Sequence, residues 1–161
     1  MNLNYTAFFL IAFLPLLIAA FWYHPKFFLA HWAKSEPLVN PSRLKPTQLI
    51  WAFVLSLALV YGYMNLIIHQ LGFYELFFTD IMLGSTEAKQ ITTDFLAKYG
   101  QKHRHFGHGV FHGAINAFVF ALPFIGFYGL IANKKTKFVA FHFLYWLVTS
   151  MVMGGFISEF V

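Results

Sequence analysis

Four histidines, His103, His105, His108 and His112, stand in one ten-residue stretch where a charged loop passes into a long apolar run. Imidazole is the side chain best suited to hold a transition metal or to move a proton near neutral pH. If a helix runs through the whole stretch, His105, His108 and His112 fall at i, i+3 and i+7, and Asn116 and Pro123 continue that stripe. His108 and His112, one turn apart, can chelate one ion through neutral imidazole. On that helix His103 points elsewhere, and both His103 and His105 read as residues of the polar interface. His112 lies about a turn inside the apolar run, where a polar group needs a partner from another segment. Asn65, His69 or a hydroxyl of the last apolar segment can supply it. The chemical reading is a metal or proton-handling site built on His69, His108 and His112, with Asn65 and Asn116 in support. Glu75 and Asp80 follow closely enough to add a ligand. The plainer reading is a hydrogen bond between helices. In either case His112→Leu should lower thermal stability in detergent more than His103→Leu. Equal melting temperatures would remove the buried partner from His112.

The elements that must position these residues are set by composition. Of the 161 residues, 59% are hydrophobic and 11% are charged, against about 25% charged in a soluble domain. A soluble core cannot hide 22 phenylalanines in a chain of this length; an apolar solvent outside the protein can. The net charge of +5 does not point to nucleic acid. It lies in loops between apolar runs, where it sets topology and meets anionic headgroups. The chain has no cysteine, which excludes disulfides, thiolate metal sites and thiol catalysis.

Hydropathy divides the chain into four membrane-crossing segments, at about residues 4–23, 47–70, 106–132 and 138–158. The first carries Pro15, which is expected to kink it, and ends on Trp22 and Tyr23, suited to the bilayer interface. It has no positive region before it, so it reads as an uncleaved helix rather than a signal peptide. In the loop that follows, Phe27, Phe28, Leu29 and Trp32 suggest a short interfacial helix, and Pro46-Thr47 opens the second span. Near its end Gly62, Asn65 and His69 are spaced to share one face. In the second loop, Ser85 or Thr86 can cap a helix ending at Gly100, with Ile91, Phe95 and Tyr99 as its apolar stripe. The turn from Asn133 to Lys137 is short enough to make the third and fourth spans antiparallel neighbours. The expected fold is all-α: a polytopic membrane protein, four transmembrane helices in one bundle over residues 1–161, plus a short interfacial helix in the second loop.

Gly109 and Gly113 form a GxxxG step that Ala117 continues, and Gly154-Gly155 offers small residues in the last span. Such faces serve close packing within the bundle or, alternatively, a homo-oligomer seam. His142 lies one turn into the fourth span from the opposite side, roughly 20 Å from His112 in a core about 30 Å thick. The two cannot share an ion, and His142 is expected, with Asn65 and Asn116, as a polar group of the core. No pair of histidines is marked out for haem. No span contains an internal Asp or Glu, which disfavours a proton-coupled cation exporter. No nucleophile–base order or phosphate loop can be assembled, so an enzyme is not expected. The leading expectation is a non-enzymatic binding or structural membrane bundle with a His/Asn site at its outer mouth. A transition-metal or haem-binding protein using His69, His108 and His112 is the first alternative, and an oligomeric small-molecule transporter or channel the second. Loops one and three carry seven Lys and Arg against four in the second loop. That bias predicts loops one and three in the cytoplasm and both termini outside.

The segment Lys98–Gly113, with Ala121-Leu122-Pro123, Tyr145-Trp146-Leu147-Val148 and Met153-Gly154-Gly155, resembles a bacterial membrane family catalogued as domain of unknown function 1761. Phe21-Trp22-Tyr23-His24-Pro25 is similar to that family's Trp-Tyr-x-Pro feature. The likeness covers most of the chain and is best in its C-terminal half. It implies a four-helix protein of the bacterial inner membrane and assigns no activity. One departure is that the turn Asn133-Lys134-Lys135 lacks the acid that the family usually places there.

Overall fold

Pro15 breaks the first span where expected. A computed structural model describes residues 3–24, 26–27 and 44–161. In it the span divides into α1 (Tyr5–Ile11) and α2 (Leu14–Trp22). Proline has no N–H for the helical ladder, and its ring crowds the preceding turn. The kinked span is held by Tyr145, whose hydroxyl donates to the Pro15 carbonyl at 2.9 Å. The second span is α3 (Pro46–Ile67), opened by proline at its first position. The second loop holds α4 (His69–Leu76), α5 (Phe78–Met82) and α6 (Thr86–Tyr99). The third span is α7 (Phe106–Asn116), a π-helical turn (Ala117–Ala121) and α8 (Leu122–Ile131). The fourth is α9 (Thr136–Phe160). Among the described residues the chain is all-helical, with these four spans long and apolar enough to cross a membrane. The interfacial helix expected around Phe28, Leu29 and Trp32 lies outside the described residues.

The bundle is built around α9. Of its most apolar stretch 44% is buried, against 17–28% in the other spans. Ile11, Val60, Met64, Ile67, Ile68, Met153 and Ile157 form a core shared by the first, second and fourth spans. The outward faces carry Leu17, Trp51, Phe124 and Ile131 at 63%, 67%, 72% and 85% exposure. In water such faces would drive aggregation; in a bilayer they meet a solvent of their own kind.

Glycine sets the contact between α7 and α9. A methyl group at Gly109 would overlap the Gly154 carbonyl, and one at Gly113 the Ser150 carbonyl. The two backbones can come this close only without side chains between them. The small-residue face of the third span is thus filled from within the chain. At the far end Asn133 adopts left-handed φ of 49° and Lys134 N–H donates to the Gly129 carbonyl at 2.8 Å, closing the tight basic turn.

Ser85 caps α6, accepting from Ala88 N–H at 3.2 Å, and the helix stops at Gly100. Its inward face differs from the expected stripe. Ala88 and Thr92 are buried, Ile91 is 41% exposed, and Phe95 stacks on Phe73 of α4 at 3.7 Å between ring centres. Phe95 packs on the aromatic α4, and the buried face takes in positions 88 and 92.

Candidate metal centre

The local chain path decides which histidines meet. α3 ends at Ile67 because Ile68 leaves helical geometry, at φ −90° and ψ 88°. Ile68 is fully buried and anchors the break in the core. His69 therefore begins α4 rather than ending the second span, and it does not share a helical face with Gly62 and Asn65. The Asn65 amide instead donates to the Tyr61 carbonyl of its own helix at 2.9 Å. This corrects the expectation that Asn65 supports the site.

His105 is likewise not on the α7 stripe. It is the N-cap, in extended conformation, and its Nδ1 accepts from His108 N–H at 3.2 Å. Accepting at Nδ1 fixes the neutral tautomer with its proton on Nε2. His103 sits in left-handed geometry at φ 65°, which costs a residue with a β-carbon about 1–2 kcal/mol. The turn returns its ring to the cluster, stacked on His108 at 5.0 Å and 22°. Both residues stay exposed, as interface residues would, and their rings pack against His108.

His69, His108 and His112 come together. One ring nitrogen from each lies within 4.8 Å of the others. The His108 and His112 rings are 4.5 Å apart, and His69 lies 5.4 Å from the first and 4.9 Å from the second. An equilateral triangle of that largest side has its centre about 2.8 Å from each corner. Shifts of under about 1 Å would close it onto an ion at the zinc–imidazole distance of about 2.0–2.1 Å. His108 Nε2 is buried and has no hydrogen-bond partner among the described residues. A buried polar atom without a partner is costly, and a metal ion would supply one. Glu75 and Asp80 are exposed and do not join the group.

The clamp that holds this loop comes from the end of α9. Arg104 Nε donates to the Ser158 carbonyl at 3.1 Å, and Ser158 Oγ donates to the His103 carbonyl at 3.2 Å. Phe106 N–H donates to Glu159 Oε2 at 2.7 Å, placing a carboxylate at the start of α7. Glu159 was legible only as a terminal acid; its role depends on the antiparallel register of the last two spans. Asn4 N–H donates to the Val161 carbonyl at 3.1 Å. Both ends of the described chain and the histidine cluster therefore occupy one end of the bundle.

The other expected polar residues lie elsewhere. Asn116 is buried one turn below His112, just before the π-helical turn, with no partner for Nδ2 among the described residues. His142 Nδ1 pairs with the Tyr23 hydroxyl at 2.7 Å, between the first and fourth spans. Comparison with protein-family models, with curated proteins and with solved structures finds no match for this chain.

Proposed function

We propose that this chain is a multi-pass membrane protein that binds one transition-metal ion through His69, His108 and His112 at one mouth of its bundle. The observation that carries the reading is the convergence of three imidazole nitrogens from α4 and α7 within 4.8 Å. The buried, unpartnered His108 Nε2 supports it. Three neutral imidazoles suit zinc, copper, iron or nickel and leave a coordination position open. The role is binding, with the bundle as scaffold. Kinship with the family catalogued as domain of unknown function 1761 belongs to the same proposal, carried by the motifs between Phe21 and Gly155. Elemental analysis of protein purified in detergent, loaded with zinc and desalted, tests the reading. About one zinc per chain is expected, and a substoichiometric trace would overturn it.

The excess of Lys and Arg in loops one and three supports a cytoplasmic position for both, with the termini and the histidine cluster outside. The chain contains no cysteine, so single introduced cysteines report without background. Lys89→Cys should react with an impermeant maleimide on intact cells, and Lys135→Cys only after lysis. The reverse pattern would invert the orientation.

A further inference from the structure

Beside the triad lies a cavity of about 320 Å³ lined by His69, Gln70, Phe95, Tyr99, Lys102 and His103. His69 belongs to both, so whatever fills the cavity lies against one of the metal ligands. The volume is that of about ten waters, at the lower end of small-molecule sites.

The walls differ in chemistry. One side is aromatic: Phe95, held by its stack on Phe73, and Tyr99. The other carries the charge of Lys102. The Lys102 ammonium stands 5.9 Å from the centre of the Tyr99 ring, and among the described residues no carboxylate lines the cavity. Gln70 is buried, and its Nε2 donates to the Tyr99 and Lys102 carbonyls at 3.1 and 2.8 Å. That pair of bonds ties the floor of the cavity to the turn that carries Lys102 and His103. A buried side chain therefore fixes the turn from which Lys102 reaches the cavity.

We infer that this cavity binds a small organic carboxylate whose oxygen takes the open position of the metal. The inference rests on the proposed metal site. The carboxylate would pair with Lys102, and its hydrocarbon body would lie against Phe95 and Tyr99. Charge complementarity selects the anion, and the flat aromatic wall selects an apolar body. A metal with three protein ligands accepts such an exogenous donor.

The test uses full-length protein in detergent loaded with cobalt(II), whose visible absorption reports its ligands. Benzoate is the probe and benzamide its uncharged counterpart. Benzoate should shift the cobalt spectrum saturably, and benzamide should leave it unchanged. Lys102→Gln should weaken benzoate about tenfold, while Glu87→Gln, exposed on α6, should match the wild type. Cobalt stoichiometry is measured for every variant. Absence of stoichiometric cobalt would overturn the metal site and the carboxylate site with it. One cobalt per chain with a spectrum indifferent to benzoate, or with equal benzoate affinity in Lys102→Gln, would overturn the carboxylate site alone.

Discussion

His108→Ala should abolish stoichiometric metal binding. His108 is the centre of the cluster, with the rings of His69, His103, His105 and His112 all within 5.8 Å of its own. Removing it leaves His69 and His112 without the residue that lies against both. Loss of an outer-shell partner of a metal site typically costs 10–100-fold in affinity, so loss of a ligand should cost more than about 100-fold. His69→Ala and His112→Ala should weaken binding comparably. His24→Ala should not, because His24 follows the opposite end of the first span and its Nδ1 accepts from Lys26 N–H. Competition with a chromophoric chelator reads all four. Equal zinc affinity in His108→Ala and His24→Ala would move the site away from the triad.

Gly113→Ala should destabilise the bundle strongly. The new carbon would overlap the Ser150 backbone carbonyl, and backbone cannot yield as a side-chain tip does. Overpacking typically costs about 1–3 kcal/mol, and in this contact either α7 or α9 must move as a whole. Gly126→Ala is the matched control in the same span. Among the described residues nothing stands within 4 Å of its added carbon, and helix propensity favours alanine by up to about 1 kcal/mol. Thermal melts in detergent should therefore separate the two variants in opposite directions from the wild type. A Gly113→Ala protein as stable as Gly126→Ala would contradict the close α7–α9 contact.

The fold was largely legible because lipid imposes a simple rule. A segment that spans must be long, apolar and internally hydrogen-bonded, and the spans at Tyr5–Trp22, Pro46–Ile67, Phe106–Ile131 and Thr136–Phe160 obey it. Local chemistry made the Pro15 break, the Ser85 cap and the turn at Asn133 readable as well. The glycine spacing at 109 and 113 was readable as a packing face, and the structure shows which helix fills it. The site was legible in its members more than in its geometry. His69, His108 and His112 were expected together, but for His69 by extending the second span through it. The break at Ile68 carries no glycine or proline signal; it is a buried apolar residue held out of helical geometry by tertiary packing. For the same reason Asn65 was placed in the site and is not. The left-handed turn at His103 and the extended cap at His105 bring both rings to His108. A helical wheel drawn through residues 103–112 cannot show either, because no helix runs there before Phe106.

Three imidazoles holding one ion leave a direct spectroscopic signature. X-ray absorption at the zinc edge of loaded, desalted protein reads the ligand shell directly. About three imidazole nitrogens at about 2.0–2.1 Å are expected, with outer-ring scattering, and that signature should be lost in His108→Ala. A shell made of oxygen alone, or an unchanged imidazole signature in His108→Ala, would contradict the three-imidazole site.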